Sequence, residues 1–309
     1  MTRIFRRIRE LLYRLLDLER RLDEIKIQQG LILCELHSKK APGPLANFEF
    51  KVFSQWGEDG IIQHLIRSIP ITNHTFIEFG VQDFFESNTR FLLMKDHWKG
   101  FVIDGSPTHI ARLQSSYFYW QHPLHSEAAF IDRDNVVALL DRSGFDKDLG
   151  ILSVDVDGVD YHLLERLSDW TPRIVIVEYN AMFGSELPVT IPYDPSFQRT
   201  RAHYSNLYFG ASLPAFQQLM DRRGYALVGV NSVGNNAFFV RRDALTHGLT
   251  EVAVDSCFRQ STFREARDEH GRLLHISALE GRKLLAHLPV VDLRTDTIAR
   301  IGDLLGNIS

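Results

Sequence analysis

Cysteine is nearly absent from this chain: two residues, Cys34 and Cys257, stand far apart and outside any paired motif. That excludes a disulfide framework and a cysteine-built zinc site, and it points to a reducing, cytoplasmic setting. Long apolar runs are missing too. No stretch approaches the roughly 20 residues that span a bilayer. The basic start MTRIFRRIRELLYRLL lacks the uninterrupted apolar segment and cleavage site of a secretory leader. The Asn-x-Ser/Thr matches at Asn73 and Asn307 are then chance occurrences. Nor is there an excess of positive charge. A formal net charge of -4 gives no general reason to expect nucleic-acid binding. Internal repeats and low-complexity tracts are likewise missing. What is present, 309 residues with 44% hydrophobic and 24% charged, is the profile of a soluble protein with a full core.

Proline is absent from residues 4–36, and glycine occurs there once, at Gly30. Apolar residues fall at Ile4, Ile8, Leu11, Leu15, Leu18, Leu22, Ile25, Ile32 and Leu36, with Gln29 filling the one gap. Alternating steps of four and three over nearly five heptads predict a coiled coil. Residues 1–38 are therefore expected to drive homo-oligomerisation, with Gln29 at an a position fixing register at a cost in stability. Phe5, Leu12 and Leu33 widen the apolar face. That leaves open either more than two strands or packing of the helix on its own body. The arginine-rich start (Arg3, Arg6, Arg7, Arg9, Arg14) adds a third option, a membrane-surface contact peripheral to the inner membrane. Acidic residues that soon follow weigh against it. The stretch KKAPGP cannot continue a helix, so residues 39–49 are expected to form a linker.

From residue 50 short apolar runs alternate with amphipathic ones. Strands are predicted at 75–80, 101–104, 128–131, 151–156, 174–178, 226–230 and 237–240. Helices are predicted at 59–69, 87–95, 108–115, 135–142, 161–167 and 213–223. Such alternation implies an α/β fold whose mostly parallel sheet is covered on both faces. Residues 231–235 are too short for a parallel crossover, so the last two strands should form an antiparallel edge hairpin. Seven strands in this layout suit a Rossmann-like methyltransferase core over residues 50–245, not a nicotinamide dehydrogenase. Residues 246–309, with a short strand at 289–293 and a helix at 296–305, would form an extension packed on the core or on an oligomer contact.

In open α/β sheets ligands bind beyond the carboxyl ends of the strands. The first strand ends in Glu78-Phe79-Gly80: a carboxylate that can accept from an ammonium and a glycine that lets backbone pass close to a ligand. The second ends in Asp104-Gly105-Ser106, an acidic position suited to ribose hydroxyls. Together they point to a nucleoside ligand. The plainer alternative makes Asp104 a turn former and Glu78 a helix cap. Phe84 and Phe85 stand where a pyrophosphate-binding turn would want glycine. That favours S-adenosylmethionine, which has no pyrophosphate, over NAD. The fourth strand runs into Asp155 and Asp157, and the fifth ends in Glu178-Tyr179-Asn180. Carboxylates crowded on one rim repel unless a cation, a proton or a basic ligand compensates, and an oxygen-rich set suits Mg²⁺ better than zinc. Such a metal would lower the pKa of a substrate hydroxyl and align it for attack on the sulfonium methyl. In the alternative, Asp155 holds the methionine moiety or a water and Asp157 caps the next helix.

Ser54-Gln55-Trp56-Gly57-Glu58-Asp59-Gly60, Glu78-Phe79-Gly80, Glu86-Ser87-Asn88-Thr89, residues 101–106, 155–158 and 177–180, and Gly234-Asn235-Asn236-Ala237-Phe238-Phe239 resemble FkbM-type methyltransferases and their bacterial relatives. The resemblance covers about residues 50–242. It implies the class I methyltransferase fold, with cofactor contacts at Glu78, Gly80 and Asp104 and further ones from Gln55, Asn88 and the Ser126-Glu127 region. The set Asp155, Glu178 and Asn180 also resembles the strand-end metal site of macrocin-type and cephalosporin-type O-methyltransferases. It departs from them in placing Asn180 where a second consecutive carboxylate is usual. Relatives of this kind often sit among polysaccharide genes, which implies a sugar or glycan hydroxyl as acceptor.

Methyl transfer to oxygen needs a group to take the hydroxyl proton. The candidates are His203, with Tyr204, in the long loop at 181–208, and His162 just after the aspartate motif. A loop of that length at the ligand end is a candidate lid. Two functions compete: an active O-methyltransferase, and a catalytically inactive binding or scaffold protein assembled by its coiled coil. Intact Glu78, Asp104 and Asp155 favour the first.

Overall fold

The computed structural model describes residues 2–246, 248–263 and 265–305. In the first helix, side chains are described at Phe5, Arg7, Ile8 and Arg9 and from Asp17 onward. Ile4, Leu11, Leu12, Leu15 and the arginines at 3, 6 and 14 fall outside those described side chains, and Asn307 lies outside the described residues.

The strands are β1 (Thr75–Phe79), β2 (Lys99–Asp104), β3 (Leu124–Ala128), β4 (Ile151–Val154), β5 (Ile174–Glu178), β6 (Val189–Thr190), β7 (Tyr225–Val230), β8 (Asn236–Arg241), β9 (Pro289–Asp292) and β10 (Thr297–Arg300). The helices are α1 (Thr2–Ser38), α2 (Glu58–Ser68), α3 (Arg90–Asp96), α4 (Pro107–Ser115), α5 (Val136–Asp141), α6 (Asp160–Arg166), α7 (Arg199–Ala202), α8 (Leu213–Arg222), α9 (Val254–Cys257), α10 (Ala278–Leu284) and α11 (Ile301–Leu305).

Seven strands form one sheet in the order β3-β2-β1-β4-β5-β8-β7. β1 to β5 run parallel, β8 is antiparallel to β5, and β7 is antiparallel to β8. Period-two alternation divides the strand side chains between two apolar layers. Ile77, Phe79, Leu152, Val175 and Val177 pack with α5, α6 and α8. Phe76, Val102, Ile151, Ile174 and Ile176 pack with α2, α3 and α4. This is a Rossmann-like methyltransferase fold with an antiparallel edge. Strand order reverses between β1 and β4, and at such a switch point the carboxyl ends of neighbouring strands open a crevice.

Three elements differ from the sequence expectation. β3 lies at Leu124–Ala128 and not at 128–131. An edge strand has one partner and needs little apolar cover, so Leu124-His125-Ser126-Glu127-Ala128 carries no hydrophobic signature. The apolar run that follows belongs to the loop beyond it. The helix predicted at 296–305 is instead β10 followed by the short α11. β10, β9 and β6 make a separate three-stranded sheet that ties the loop after β5 to the C-terminal extension. The segment at 39–49 is no free linker, because Leu45 and Phe48 are buried and His37 Nδ1 lies 3.1 Å from the Phe48 carbonyl. Among the described residues, no helix is long and apolar enough to cross a membrane.

Candidate functional site

At the switch point β1 gives way to Gly80, whose φ is +72°. A Cβ there would lie 1.6 Å from the Asp155 carbonyl oxygen. Only glycine lets the ends of β1 and β4 approach so closely at that φ.

Around this contact lie two cavities of about 370 and 190 Å³. The larger is lined by Gln55, Glu78, Gly80, Gln82, Asn88 and Asp155 among others. The smaller is lined by Asp104, Gly105, Phe130 and Ile131, and shares Gly80, Gln82 and Asp155 with the larger. Together they form one crevice of ligand-binding size. Asp104 points to it from the end of β2. Its Oδ2 accepts from the Gln82 amide at 2.8 Å, and its Oδ1 accepts from the Ser106 amide at 2.8 Å with His109 Nδ1 at 3.2 Å. A carboxylate offers about four acceptor sites, so capacity remains for a ligand hydroxyl.

Glu78 is more fully engaged. It accepts from the Ser87 hydroxyl (2.7 Å), the Asn88 and Thr89 amides (2.9 and 3.1 Å) and the Thr89 hydroxyl (2.5 Å). Burial raises its pKa against the pull of these donors. Its visible task is to hold the loop that brings Asn88 to the crevice. Ser126 and Glu127 are placed elsewhere. Ser126 Oγ meets Gln114 and Tyr119, Glu127 pairs with Arg142, and neither lines the crevice. Ala129, Phe130 and Ile131 line it in their place. The signal for them was the apolar run assigned to the wrong element.

Beside the crevice stands a carboxylate cluster. Asp155, Asp157 and Glu178 each offer an oxygen within 4.8 Å of the others. Burial raises the Asp155 pKa well above the ordinary value, with Asp157 and Asp160 adding to it. Burial and then Asp155 raise that of Glu178. The turn is shaped by Asp160, which accepts from the Val156 and Gly158 amides at 2.8 and 2.9 Å.

Sequence reasoning missed the cluster's cation, Arg199. It donates to Asp157 Oδ1 at 2.6 Å and to the Asn206 carbonyl at 2.7 Å, pairs with Glu265, and lies 4.0 Å from Glu178 Oε1. Its guanidinium sits 3.6 Å from the Phe209 ring centroid. Burial alone would weaken its charge, but Glu178, Glu265 and Asp157 outweigh that and hold its pKa above the usual arginine value. The crowded acids were the available signal, since they demand a counter-charge.

Four residues expected in the site stand outside it. Asn180 donates to the Leu207 and Phe209 carbonyls at 2.9 and 3.0 Å and accepts from the Met182 amide at 3.0 Å. Its amide is committed to backbone, and Asp157 takes its place among the potential metal ligands. His162 is buried on α6, with Nε2 2.9 Å from the Ile191 carbonyl and its ring against Tyr193. His203 bonds Ser205, and its ring lies tilted against Tyr204 and His287. Neither histidine nor Tyr204 lines the crevice. Burial lowers the pKa of both histidines.

Could the cluster hold a metal? Glu178 Oε2 is buried without a hydrogen-bond partner, and the donor set is all oxygen. Arg199 supplies one positive charge against the carboxyl groups of Asp155, Asp157, Glu178 and Glu265, so they cannot all ionise without a further cation. The residues fit a hard divalent cation.

The crevice is strongly acidic. Glu78, Asp83, Glu86, Asp104, Asp155 and Asp157 line it, and among the described residues no lysine or arginine does. Lys51 reaches Glu86 at 3.0 Å and the Gln55 carbonyl at 2.9 Å, Arg112 lies 3.8 Å from Asp83, and Arg199 donates to Asp157. Such a lining favours a cationic ligand and disfavours a pyrophosphate.

No protein-family model matches the chain, and neither does any curated protein. Among solved structures it is similar to the CurJ carbon methyltransferase, at 8% identity and TM-score 0.40 over 64% of this chain and 57% of that one. It is similar also to the N-terminal domain of EvdMO1 with SAH bound, at 10% identity and TM-score 0.38 over 70% and 94% of the two chains. A third is an S-adenosylmethionine-dependent methyltransferase from Clostridium acetobutylicum, at 8% and 0.37 over 59% and 89%. The chain thus spans less than two thirds of CurJ. Likenesses this distant carry no functional argument, and function has to come from the site.

Proposed function

We propose that this chain is an S-adenosylmethionine-dependent O-methyltransferase that acts on a sugar or glycan hydroxyl. The acidic crevice at the switch point, which no described lysine or arginine lines, carries this reading. The methyl donor carries a sulfonium and an ammonium against one carboxylate at its methionine end, a net positive charge, and has no pyrophosphate. Asp104 suits its ribose, and Phe130, Ile131 and Gly105 suit an adenine ring. Next to the crevice, and sharing Phe130 and Phe197 with it, lies a groove of about 550 Å³ lined also by Asp194, Ser196, Gln198 and Arg201. Aromatic walls among hydrogen-bonding side chains suit a polyhydroxylated acceptor. A role in surface polysaccharide synthesis is what the FkbM-type resemblance implies.

In this reading Asp155 lines both parts of the donor crevice, at the end of β4. With no metal on it, its carboxylate is the group placed to take the hydroxyl proton. Asp155, Asp157 and Glu178 would hold Mg²⁺ if the enzyme uses it. A bound Mg²⁺ would supply Lewis acidity that lowers the hydroxyl's pKa.

Titration calorimetry tests the proposal. S-adenosylmethionine should bind and NAD⁺ should not. Asp104→Ala should weaken binding by about 10–100-fold, the scale of hydrogen bonds to a charged group. No heat at millimolar S-adenosylmethionine overturns the enzyme reading in favour of a scaffold. The metal part fails if EDTA has no effect on methyl transfer and Glu178→Ala leaves it unchanged.

A further inference from the structure

Helix α1 has two faces, and only one of them is used. Asp23, Gly30, Cys34 and His37 are buried against the body. A Cβ on Gly30 would fall 2.6 Å from the Phe91 ring, so the helix backbone lies directly on α3. Asp23 locks the orientation: its Oδ2 accepts from Arg90 at 2.5 Å and from the Tyr117 hydroxyl at 2.8 Å. On the far side, about 140° round a helix of 3.6 residues per turn, run Leu18, Leu22, Ile25, Ile32 and Leu36. These are 49–61% exposed. Ile8 continues the row at 49%. This is the heptad series itself. The docking contacts use other residues, so the seam cannot fold onto its own body without breaking them. Gln29 apart, the described seam residues from Leu18 to Leu36 form an exposed apolar stripe, and such a stripe marks an interface.

We infer that the seam is covered by the same seam of a second copy of this chain, running antiparallel. Charge selects the direction. Residues 2–16 carry five arginines and one glutamate, net +4, whereas residues 17–38, leaving out Asp23 because it pairs with Arg90, carry four acids and three bases, net -1. A parallel pair would set the basic halves side by side, and an antiparallel pair sets each basic half along an acidic one. A register that overlaps the whole seam places Ile8 of one copy against Ile32 of the other, and Arg7 against Glu35.

Light scattering and cysteine cross-linking on the whole chain test this, with the unsubstituted chain as the control for Cys34 and Cys257. The expected mass is twice that of one chain at micromolar concentration. Leu22→Glu with Ile25→Glu should halve it and leave the thermal midpoint of the diluted monomer unchanged, since both side chains face solvent. The double variant Ile8→Cys/Ile32→Cys should cross-link under mild oxidation, while Ile8→Cys alone should not. A monomeric mass overturns the proposal. So does cross-linking of Ile8→Cys alone, which would show parallel strands. Flotation of the chain with vesicles of anionic phospholipid in place of dimerisation would assign the seam to a lipid surface instead.

Discussion

The carboxylate of Asp59 is fully buried, and four donors converge on one of its oxygens. The Val52, Phe53 and Ser54 amides each donate to Oδ2 at 2.7 Å and the Ser54 hydroxyl at 2.9 Å, while Oδ1 has no partner. Burial outweighs these donors and pushes its pKa up to about 6. Unfolded aspartate titrates near 3.9. Between those values the folded chain keeps a proton that the unfolded chain has released, so acidification from pH 7 towards 4 favours the folded state. At 1.36 kcal/mol per pK unit the effect is roughly 2–3 kcal/mol. Asp59→Asn cannot titrate. The gap in melting temperature between the native chain and this variant should therefore widen, in the native chain's favour, as pH falls from 7.5 to 5. A gap independent of pH contradicts the assignment. The same residue shows where sequence reading stops. The stretch from Ser54 to Gly60 was legible as a motif, but its acids brace the scaffold. Glu58 accepts from the Trp56 and Gly57 amides and from the Asn231 and Asn236 side chains, and only Gln55 reaches the crevice. A carboxylate that binds backbone and one that binds ligand need the same chemistry, so residue type cannot separate them.

Among the elements, α1 joins an interface legible in the sequence to one that was not. The heptad seam is apolar and periodic and can be seen in one dimension. The docking face is built of aspartate, glycine, cysteine and histidine, and its burial depends on Arg90, 67 residues away. β3 was missed for a related reason, since an edge strand needs little apolar cover. Arg90 is fully buried, sits 4.2 and 4.4 Å from the Phe53 and Phe118 ring centroids, and donates to the Phe85 carbonyl at 3.0 Å. Phe85 lines the crevice. Asp23→Ala would leave a buried guanidinium without its carboxylate, a loss of about 3–5 kcal/mol. Urea unfolding should show that loss, and S-adenosylmethionine affinity should drop with it because the Phe85 loop loses its support. A change below about 1 kcal/mol, the value typical of an exposed pair, would mean that the helix does not dock through Asp23.

For the whole molecule, the alternation that reveals a parallel sheet places the strand ends, and therefore the crevice, without any structure. It cannot say how excess negative charge at those ends is balanced, because the balancing residue comes from a loop whose path is set by packing. Arg199 does this from α7, joining the turn after β4, the end of β5 and Glu265 of the C-terminal extension. Among the described residues, Asp157, Glu178 and Glu265 pair with no other cation. A divalent ion at Asp155, Asp157 and Glu178 would meet the same negative charge that Arg199 already partly neutralises. The two cations therefore compete. Arg199→Ala should lower stability in EDTA, because four crowded carboxylates must then protonate or repel, and it should expose the extension around Glu265 to proteolysis. Millimolar Mg²⁺ should then raise the melting temperature of Arg199→Ala by more than it raises that of the native chain, since ligand stabilisation grows with affinity. Equal Mg²⁺ shifts in the two proteins would show that any ion binds elsewhere, and that Arg199 alone balances the cluster.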